Sequence, residues 1–229
     1  MQADAAHVAA EVVGLVAHHV QERDVPADSR IFDGGASGIG WAMAEAAAAD
    51  YCLERLQPPI PDKVLSELVE VTAAINDAPM GELTYEDEKF DLQRLRDLET
   101  AARGRGDRVY RVIARRRDTG EVGGHTVVLT HPLQPDVGGQ GDTAVARHHR
   151  GQRLGLLVKI DMMRWLAEVE PQLKIIETWN NVDNNFMINV NEALGYRLSR
   201  IFNMYELKLA AAPEASTDGT PSPGVRKLG

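Results

Sequence analysis

The sequence contains a single cysteine, Cys52, and only 5% aromatic residues. One cysteine cannot build a disulfide framework or a cysteine-rich zinc site, so we expect a protein of the reducing cytoplasm. No apolar run approaches the roughly 18 residues that a membrane-spanning helix needs. The N-terminal residues also lack the basic start and continuous apolar stretch of a secretory signal. We therefore expect a cytoplasmic protein without a membrane partner.

Positive charge is in deficit, since 25 basic residues stand against 34 acidic ones and the net charge is −9. This balance argues against non-specific binding to nucleic acid. Seven arginines lie between Arg103 and Arg117, but the aromatic interleaving typical of an RNA surface is limited to Tyr110. A solvated strand face is the better interpretation. We expect no nucleic-acid partner.

Hydrophobic periodicity predicts an α/β protein. Apolar residues at helical spacing predict a helix over residues 5–23, and an alanine-rich segment predicts a second helix over residues 37–49. From Tyr51 onwards the pattern predicts the order β-α-α-β-β-β-α-β-α-β, with a loop over residues 132–141. The resulting sheet is antiparallel at first and gains a parallel pair through a crossover helix. Residues 210–229 consist mainly of Ala, Pro, Ser, Thr and Gly and predict a disordered tail.

A basic, glycine-containing turn joins a predicted strand over residues 143–146 to a helix that begins near Gln152. The first turn of a helix leaves about four backbone N–H groups unpaired and carries positive potential. Gly151 and Gly155 allow a ligand to approach the backbone closely. Three arginines add positive charge to the same turn: Arg147, Arg150 and Arg153. These features predict a pyrophosphate site, although a solvated arginine face with a simple glycine turn would give the same spacing.

The segment from Thr143 to Leu157 resembles the acetyl-CoA-binding signature of GNAT-type N-acetyltransferases, Q/R-x-x-G-x-G/A after a strand. Arg150 stands at the first position and Gly155 at the last, while Arg153 replaces the middle glycine. Residues 173–180 are similar to the fifth strand of the family. Residues 184–196 resemble its asparagine–helix–Gly-aromatic element, and they end in Leu-Gly-Tyr. Two such elements in the correct order are far more specific than either alone.

The resemblance covers residues 51–209 and implies the GNAT acyl-CoA N-acyltransferase fold, with a mixed central sheet flanked by helices. Residues 51–79 also look like the C-terminal halves of actinobacterial tandem GNAT proteins. Residues 1–50 would then be a helical N-terminal extension. We hypothesise that this extension is the remnant of a first, incomplete GNAT unit, because its predicted helix–strand–helix order mimics residues 152–196. A helical cap on the one functional domain is the alternative.

The resemblance implies acetyl-CoA as a cosubstrate and no metal. Backbone N–H groups from Arg150 to Leu156 would bind the CoA pyrophosphate, Val145 would pair its backbone with the pantetheine arm, and Asn184 would hydrogen-bond that arm. The implied cofactor-binding residues are Val145, Arg150, Gly151, Gln152, Arg153, Leu154, Gly155, Leu156 and Asn184.

The implied reaction is direct transfer of an acyl group to an amine, which requires a base for the acceptor and an acid for the departing thiolate. Asp142 and Glu177 are the preferred bases, because their strands border the expected opening in the sheet. Many family members use a tyrosine as the acid, but the corresponding residue here is Asn191, so Tyr196, Tyr205 or water takes that role. His125, a further candidate base, and Asn180 are expected to contact the acceptor.

We therefore expect an acyl-CoA-dependent N-acyltransferase acting on a small molecule or peptide. The alternative is a catalytically weak acyl-CoA-binding or interaction module, which the asparagine at position 191 favours.

A glycine-rich segment over residues 34–40 resembles the nucleotide loop of short-chain dehydrogenases, but no buried parallel strand precedes it. The adjacent pairs His18-His19 and His148-His149 do not predict a zinc site, because neighbouring residues of a helix point in different directions. The sequence does not distinguish a monomer from a homodimer.

Overall fold

The computed structural model describes residues 7–18, 42, 44–81 and 86–206. Its strands are β1 His7–His18, β2 Tyr51–Leu56, β3 Arg108–Arg116, β4 Val122–His131, β5 Gln134–Val145, β6 Ile175–Asn181 and β7 Arg197–Glu206. Its helices are α1 Asp62–Ala73, α2 Leu92–Arg105, α3 Leu154–Val169 and α4 Asn185–Ala193. The element order predicted from Tyr51 onwards is confirmed. The predicted disordered tail over residues 210–229 lies outside the described residues.

The strands form one seven-stranded sheet in the order β2-β3-β4-β5-β6-β1-β7. Every neighbouring pair is antiparallel except β5 and β6, which are parallel. Helix α3 makes the connection between these two parallel strands, as a crossover requires. The predicted mixed sheet with one parallel pair is confirmed.

The helix predicted over residues 5–23 is wrong, because His7–His18 is a strand. β1 lies between β6 and β7 and is antiparallel to both, so its backbone is paired on two sides. The spacing of Val8, Val12 and Val16 suits a helix, but a short apolar run rich in β-branched residues suits a buried strand equally well.

The same finding corrects the description of residues 1–50 as a helical extension. β1 is part of the sheet formed by the later strands, and the proposed helix–strand–helix likeness to residues 152–196 fails at its first element. Of the second predicted helix, residues 44–47 are helical and residues 37–41 lie outside the described residues. The domain boundary at residue 51 and the remnant hypothesis stay predictions.

The loop predicted over residues 132–141 is also wrong in most of its length, because β5 begins at Gln134. Two glycines of this segment, Gly138 and Gly141, lie against side chains of neighbouring elements. A Cβ on Gly138 would lie 3.3 Å from Leu173 Cδ1, and one on Gly141 would lie 3.5 Å from Val127 Cβ. The register between β4 and β5 shifts between the pairs Thr126–Thr143 and Val128–Gln140, which places a β-bulge in β5.

Side chains alternate along the strands and fill two cores, one on each face of the sheet. In β3, Val112 packs in the core that contains α3, whereas the next residue, Ile113, packs in the core that contains α1 and α2. The apolar residues of α3 recur at steps of three and four and are buried: Leu154, Leu157, Val158, Met162 and Leu166. Among the described helices, none has the length and apolar character needed to cross a membrane.

Candidate functional site

An opening in the sheet lies between β5 and β6. The two strands pair only from Val137–Ile175 to Gly139–Glu177. Beyond that point β5 continues for six residues beside β4, and β6 continues beside β1. The strands therefore part at their carboxyl ends, which is where ligands bind in open α/β sheets.

The backbone of β5 directs hydrogen-bonding groups into this opening. Ala146 N–H donates to Gly123 C=O at 3.0 Å, so Val145 and Gly124 form a non-hydrogen-bonded pair in the ladder. The N–H and C=O groups of such a residue point away from the partner strand. Thr143, two residues earlier, likewise forms a non-hydrogen-bonded pair, with Thr126. This edge of β5 can accept an extended ligand as an additional strand.

The opening leads to the N-terminus of α3. A 3-10 turn, Arg147–His149, follows β5, and α3 begins at Leu154 after a loop in which Gly151 has φ +84°. Arg153 is the N-cap residue of α3, and its side chain makes no capping hydrogen bond. The first N–H groups of α3 are therefore available to an anion.

Arg153 has φ +55°, a left-handed conformation that favours glycine. The conformation explains why the matching signature position is usually glycine. The side chain of Arg153 is exposed. Gly155 leaves room above the helix start, since a Cβ there would lie at an ordinary 3.8 Å from Val145 Cγ2.

Two of the three arginines of the predicted pyrophosphate site form ion pairs with Asp77, a residue that sequence reasoning missed. Arg147 Nε donates to Asp77 Oδ2 at 2.9 Å, and Arg150 Nη2 donates to the same oxygen at 2.5 Å. These hydrogen bonds hold the pKa of Asp77 well below its usual range. Arg150 Nε also donates to Val145 O at 3.1 Å. The two guanidinium groups therefore brace the loop from the side of the 3-10 turn Ala74–Asp77.

A buried polar cluster lies on the α3 face of β5. Lys159 Nζ donates to Gln140 Oε1 at 2.9 Å and lies 4.9 Å from the centroid of the Tyr196 ring. The Tyr196 hydroxyl donates to the same Gln140 oxygen at 3.5 Å. Burial lowers the pKa of Lys159 to about 7 and raises the pKa of Tyr196. Gln140 is the first β5 residue beyond the last pair with β6, so this cluster borders the inner end of the opening.

Asn191 stands where many GNAT sequences carry a tyrosine, and it is fully buried. Its Nδ2 donates to Asn180 Oδ1 at 3.0 Å, which ties α4 to the end of β6. Asn191 Oδ1 is buried and has no hydrogen-bond partner within the described part of the chain. Asn184 caps α4, because its Oδ1 accepts from Met187 N–H at 3.2 Å.

The opposite face of the sheet carries a second polar group. Arg111 Nη1 donates to His125 Nδ1 at 2.7 Å, and His125 is fully buried. A guanidinium has no acceptor, so Nδ1 must hold the lone pair and Nε2 the proton. Burial, with a contribution from Arg111, lowers the pKa of His125 well below 6.5. His125 is therefore neutral, and its one basic nitrogen is occupied.

Asp142 and Glu177 differ in their surroundings. Partial removal of its carboxyl group from water raises the pKa of Asp142. Arg111 opposes this rise and Glu88 adds to it. Part of the residue is nevertheless exposed to solvent. Glu177 instead accepts a hydrogen bond from Arg200 Nη2 at 3.0 Å. Both predicted bases therefore lie on strands that border the opening, and Glu177 is engaged by Arg200.

Solved structures provide an independent comparison. The chain is 28% identical to a tandem GNAT protein from the clavulanic acid biosynthesis pathway, with a TM-score of 0.64 over 87% of this chain and 54% of that one. A GCN5-related N-acetyltransferase from Sphaerobacter thermophilus matches with a TM-score of 0.55 and 12% identity, over 87% of this chain and 52% of that one. This chain therefore spans about half the length of these two proteins. No family model and no curated protein matches the sequence.

The predicted resemblance to the GNAT superfamily is confirmed. The predicted GNAT fold class is confirmed.

The predicted cofactor-binding residues of the GNAT signature are contiguous with the opening, from Val145 through the loop to Leu156. Asn180 and Asn184 lie on the other side, at the end of β6 and the start of α4. Their roles stay predictions. Tyr196 lies on the α3 face and His125 on the opposite face, so the two are separated by the sheet.

Besides Asp77, sequence reasoning missed three residues near the opening: Gln140, Lys159 and Arg111. Lys159 had a visible signal, because a lysine stands on the apolar stripe of α3, four residues after Gly155 and three before Met162. Gln140 lay in a segment that its glycines marked as a loop. Arg111 was counted with the arginines of a solvated strand face.

Proposed function

We propose that this GNAT protein is an acyl-CoA-dependent N-acyltransferase that uses acetyl-CoA and acts on an amine of a small molecule or peptide. The observation that carries the proposal is the continuity between the free edge of β5 and the uncapped start of α3. A ligand with an extended amide-bearing arm and a diphosphate would satisfy both groups at once. Acyl-CoA has this composition.

Backbone groups would supply most of the binding. The N–H groups of residues 150–156 would hold the pyrophosphate, and Val145 N–H would pair with the pantetheine arm. Val145 C=O already accepts from Arg150 Nε, so the arm would compete with or replace that hydrogen bond. Asn184 would contact the arm through its amide Nδ2, because its Oδ1 caps α4.

The acyl carbon would lie in the opening next to the β-bulge of β5. The neutral amine nitrogen attacks this carbon, the C–N bond forms, the C–S bond breaks, and CoA leaves as a thiolate. The nitrogen of the new amide loses its surplus proton to water. Asp142 would remove the proton of the acceptor ammonium, since its raised pKa suits a general base and Glu177 is held by Arg200. Tyr196 would protonate the thiolate from the α3 face. Asn180 and the His125–Arg111 pair would border the acceptor.

A second candidate function is an acyl-CoA-binding module with little turnover. Asn191 favours it, because an amide that is fully buried and bonded to Asn180 cannot deliver a proton. This candidate shares the cofactor site with the first and differs only in chemistry.

Calorimetric titration with acetyl-CoA tests the shared site. Gly155→Trp fills the space above the helix start and should abolish binding. Gly104→Trp is the matched control, because Gly104 is also a helical glycine and its Cβ would meet no described atom within 4 Å. Equal affinity for both variants and the wild type would overturn the proposed cradle.

Release of free thiol from acetyl-CoA in the presence of an amine panel separates the two candidates. Thiol release that depends on one class of amine supports the transferase. Tight binding without thiol release from any amine supports the binding module and contradicts the transferase.

A further inference from the structure

A group of potential metal ligands lies outside the proposed acyl-CoA site, at the turn that follows β5. One ligand atom from each of Glu121, His148 and His149 lies within 4.8 Å of the others. Glu121 directly precedes β4, and the two histidines belong to the 3-10 turn. Glu70 of α1 is next to them, with its Oε1 3.6 Å from His148 Nδ1.

His148 and His149 were not expected to share a metal site, but their side chains lie together. Their ring centroids are only 4.1 Å apart, with an interplanar angle of 46°. Both imidazoles therefore reach the same group of carboxylates.

His149 supplies the observation that points to a ligand. The residue is 1% exposed, and its Nε2 is buried without a hydrogen-bond partner among the described residues. The nearest carboxylate oxygen, Glu121 Oε2, is 3.8 Å away, which is too far for a hydrogen bond. A buried polar nitrogen without a partner is costly, and a bound cation would satisfy it.

This separation suits a metal ion. A zinc ion bonds to nitrogen and oxygen at about 2.0–2.1 Å, so two of its ligands are about 3.4 Å apart at the tetrahedral angle and at most about 4.2 Å apart. The 3.8 Å between His149 Nε2 and Glu121 Oε2 falls inside that range. His148 and Glu121 are both more than half exposed in their side chains, at 53% and 57%, so they can rotate inwards.

The environment of His149 resembles the outer shell of a metal site. Tyr51 Oη lies 2.7 Å from His149 Nδ1. If Nδ1–H donates to Tyr51, the lone pair is on Nε2, the nitrogen that faces Glu121. Gly123 makes room for this arrangement, since a Cβ there would lie 2.8 Å from His149 Cγ.

Access and charge are also favourable. Glu70, Glu121 and His148 line a groove of about 300 Å³ together with Glu67, Thr119 and Gly120. Glu67 is already paired with Arg115, at 2.8 Å, whereas Glu121 Oε2 accepts a hydrogen bond from the Thr119 hydroxyl, at 2.9 Å, which a bound cation would replace. The groove thus gives solvent access to Glu121 and His148, the two residues whose ligand atoms are grouped with that of His149.

We propose that His149, His148 and Glu121 form a binding site for Zn²⁺ or a similar first-row divalent cation, with Glu70 as a fourth ligand. Two imidazoles with carboxylates select such ions over Mg²⁺ or Ca²⁺. The site would join α1, the start of β4 and the turn that precedes the loop of residues 150–156. It does not depend on the proposed acyltransferase activity.

Titration of the chelator-treated full chain with Zn²⁺, and with Co²⁺ as a spectroscopic probe, tests the site. We expect saturable binding of one ion and a rise in Tm, because a ligand that binds the folded state stabilises it. His148→Gln and Glu121→Gln should each weaken binding by at least about 10-fold, since each removes a metal ligand. Both changed residues are exposed, so these variants are expected to fold.

Matched controls are His131→Gln and Glu192→Gln, which alter a histidine and a glutamate elsewhere in the chain and should leave the affinity unchanged. Circular dichroism of each variant verifies the fold. No saturable binding by the wild type, or equal weakening in the controls and the site variants, would overturn the proposal. Binding of acetyl-CoA, measured in parallel, reports on the acyl-CoA site separately.

Discussion

Replacing Lys159 with methionine removes a buried ammonium while keeping an unbranched chain of similar length. Lys159 is 1% exposed, its nitrogen contacts Gln140 and the Tyr196 ring, and burial lowers its pKa from 10.5 to about 7. The variant therefore eliminates one proton-binding site whose affinity differs between the folded and unfolded chain. The expected consequence is a change in how the free energy of unfolding depends on pH.

The direction follows from proton binding in the two states. Between the folded pKa of about 7 and the unfolded value of 10.5, the unfolded chain binds the Lys159 proton and the folded chain does not. The contribution of Lys159 to the free energy of unfolding therefore rises with pH in this window, by about 1.4 kcal/mol per pH unit. From about pH 7.5 to about pH 9.5 the gain is about 2.5 kcal/mol.

Urea denaturation of the wild type and Lys159→Met at several pH values measures this effect. Other titrating groups are common to both proteins, so the difference between their free energies of unfolding isolates Lys159. That difference should move by about 2.5 kcal/mol in favour of the wild type from about pH 7.5 to about pH 9.5. Lys174→Met, which changes an exposed lysine, is the control. Parallel stability curves for wild type and Lys159→Met would refute the assignment of a depressed pKa to this buried lysine.

Two further predictions concern the core and the chemistry. Gly123→Ala places a Cβ 2.8 Å from His149 Cγ and 2.9 Å from Tyr51 Cε1, and should lower the free energy of unfolding by about 1–3 kcal/mol in urea, whereas Gly139→Ala, which meets no described atom within 4 Å, should not. Equal stability of the two variants would contradict the packing argument. If Asp142 is the base, Asp142→Asn should lower kcat/KM on the order of 100-fold and remove the acidic limb of the pH–rate profile. A greater loss in Glu177→Gln would assign the base to Glu177 instead.

Periodicity predicted the elements after Tyr51 because each has one apolar face, as the buried stripe of α3 illustrates. It failed for β1, because an apolar segment of this length suits both a helix and a strand with neighbours on both sides. It failed for the first half of β5 for another reason. The glycine at position 138 is explained by a close contact with Leu173, which the local sequence does not contain.

The candidate cofactor loop was predictable because its chemistry depends on backbone groups at one turn of the chain. The pairing of Arg147 and Arg150 with Asp77 was not, since 70 or more residues separate the partners. The same holds for His125, whose tautomer is fixed by Arg111 on a neighbouring strand. Residue type alone therefore suggested a base at His125, and the tertiary contact removes that possibility.

The two polar groups beside the opening have opposite proton affinities, and the sheet keeps them apart. On one face, Arg111 occupies the basic nitrogen of His125, and the raised pKa of Asp142 leaves it as the better proton acceptor. On the other face, burial keeps the Tyr196 hydroxyl protonated, and Gln140 orients it through a carbonyl oxygen shared with Lys159. A transferase that removes a proton from an amine and returns one to a thiolate can use a base on one face of the sheet and an acid on the other. The asparagine at position 191 is then compatible with turnover if Tyr196, the proposed proton donor, lies close enough to the thiolate.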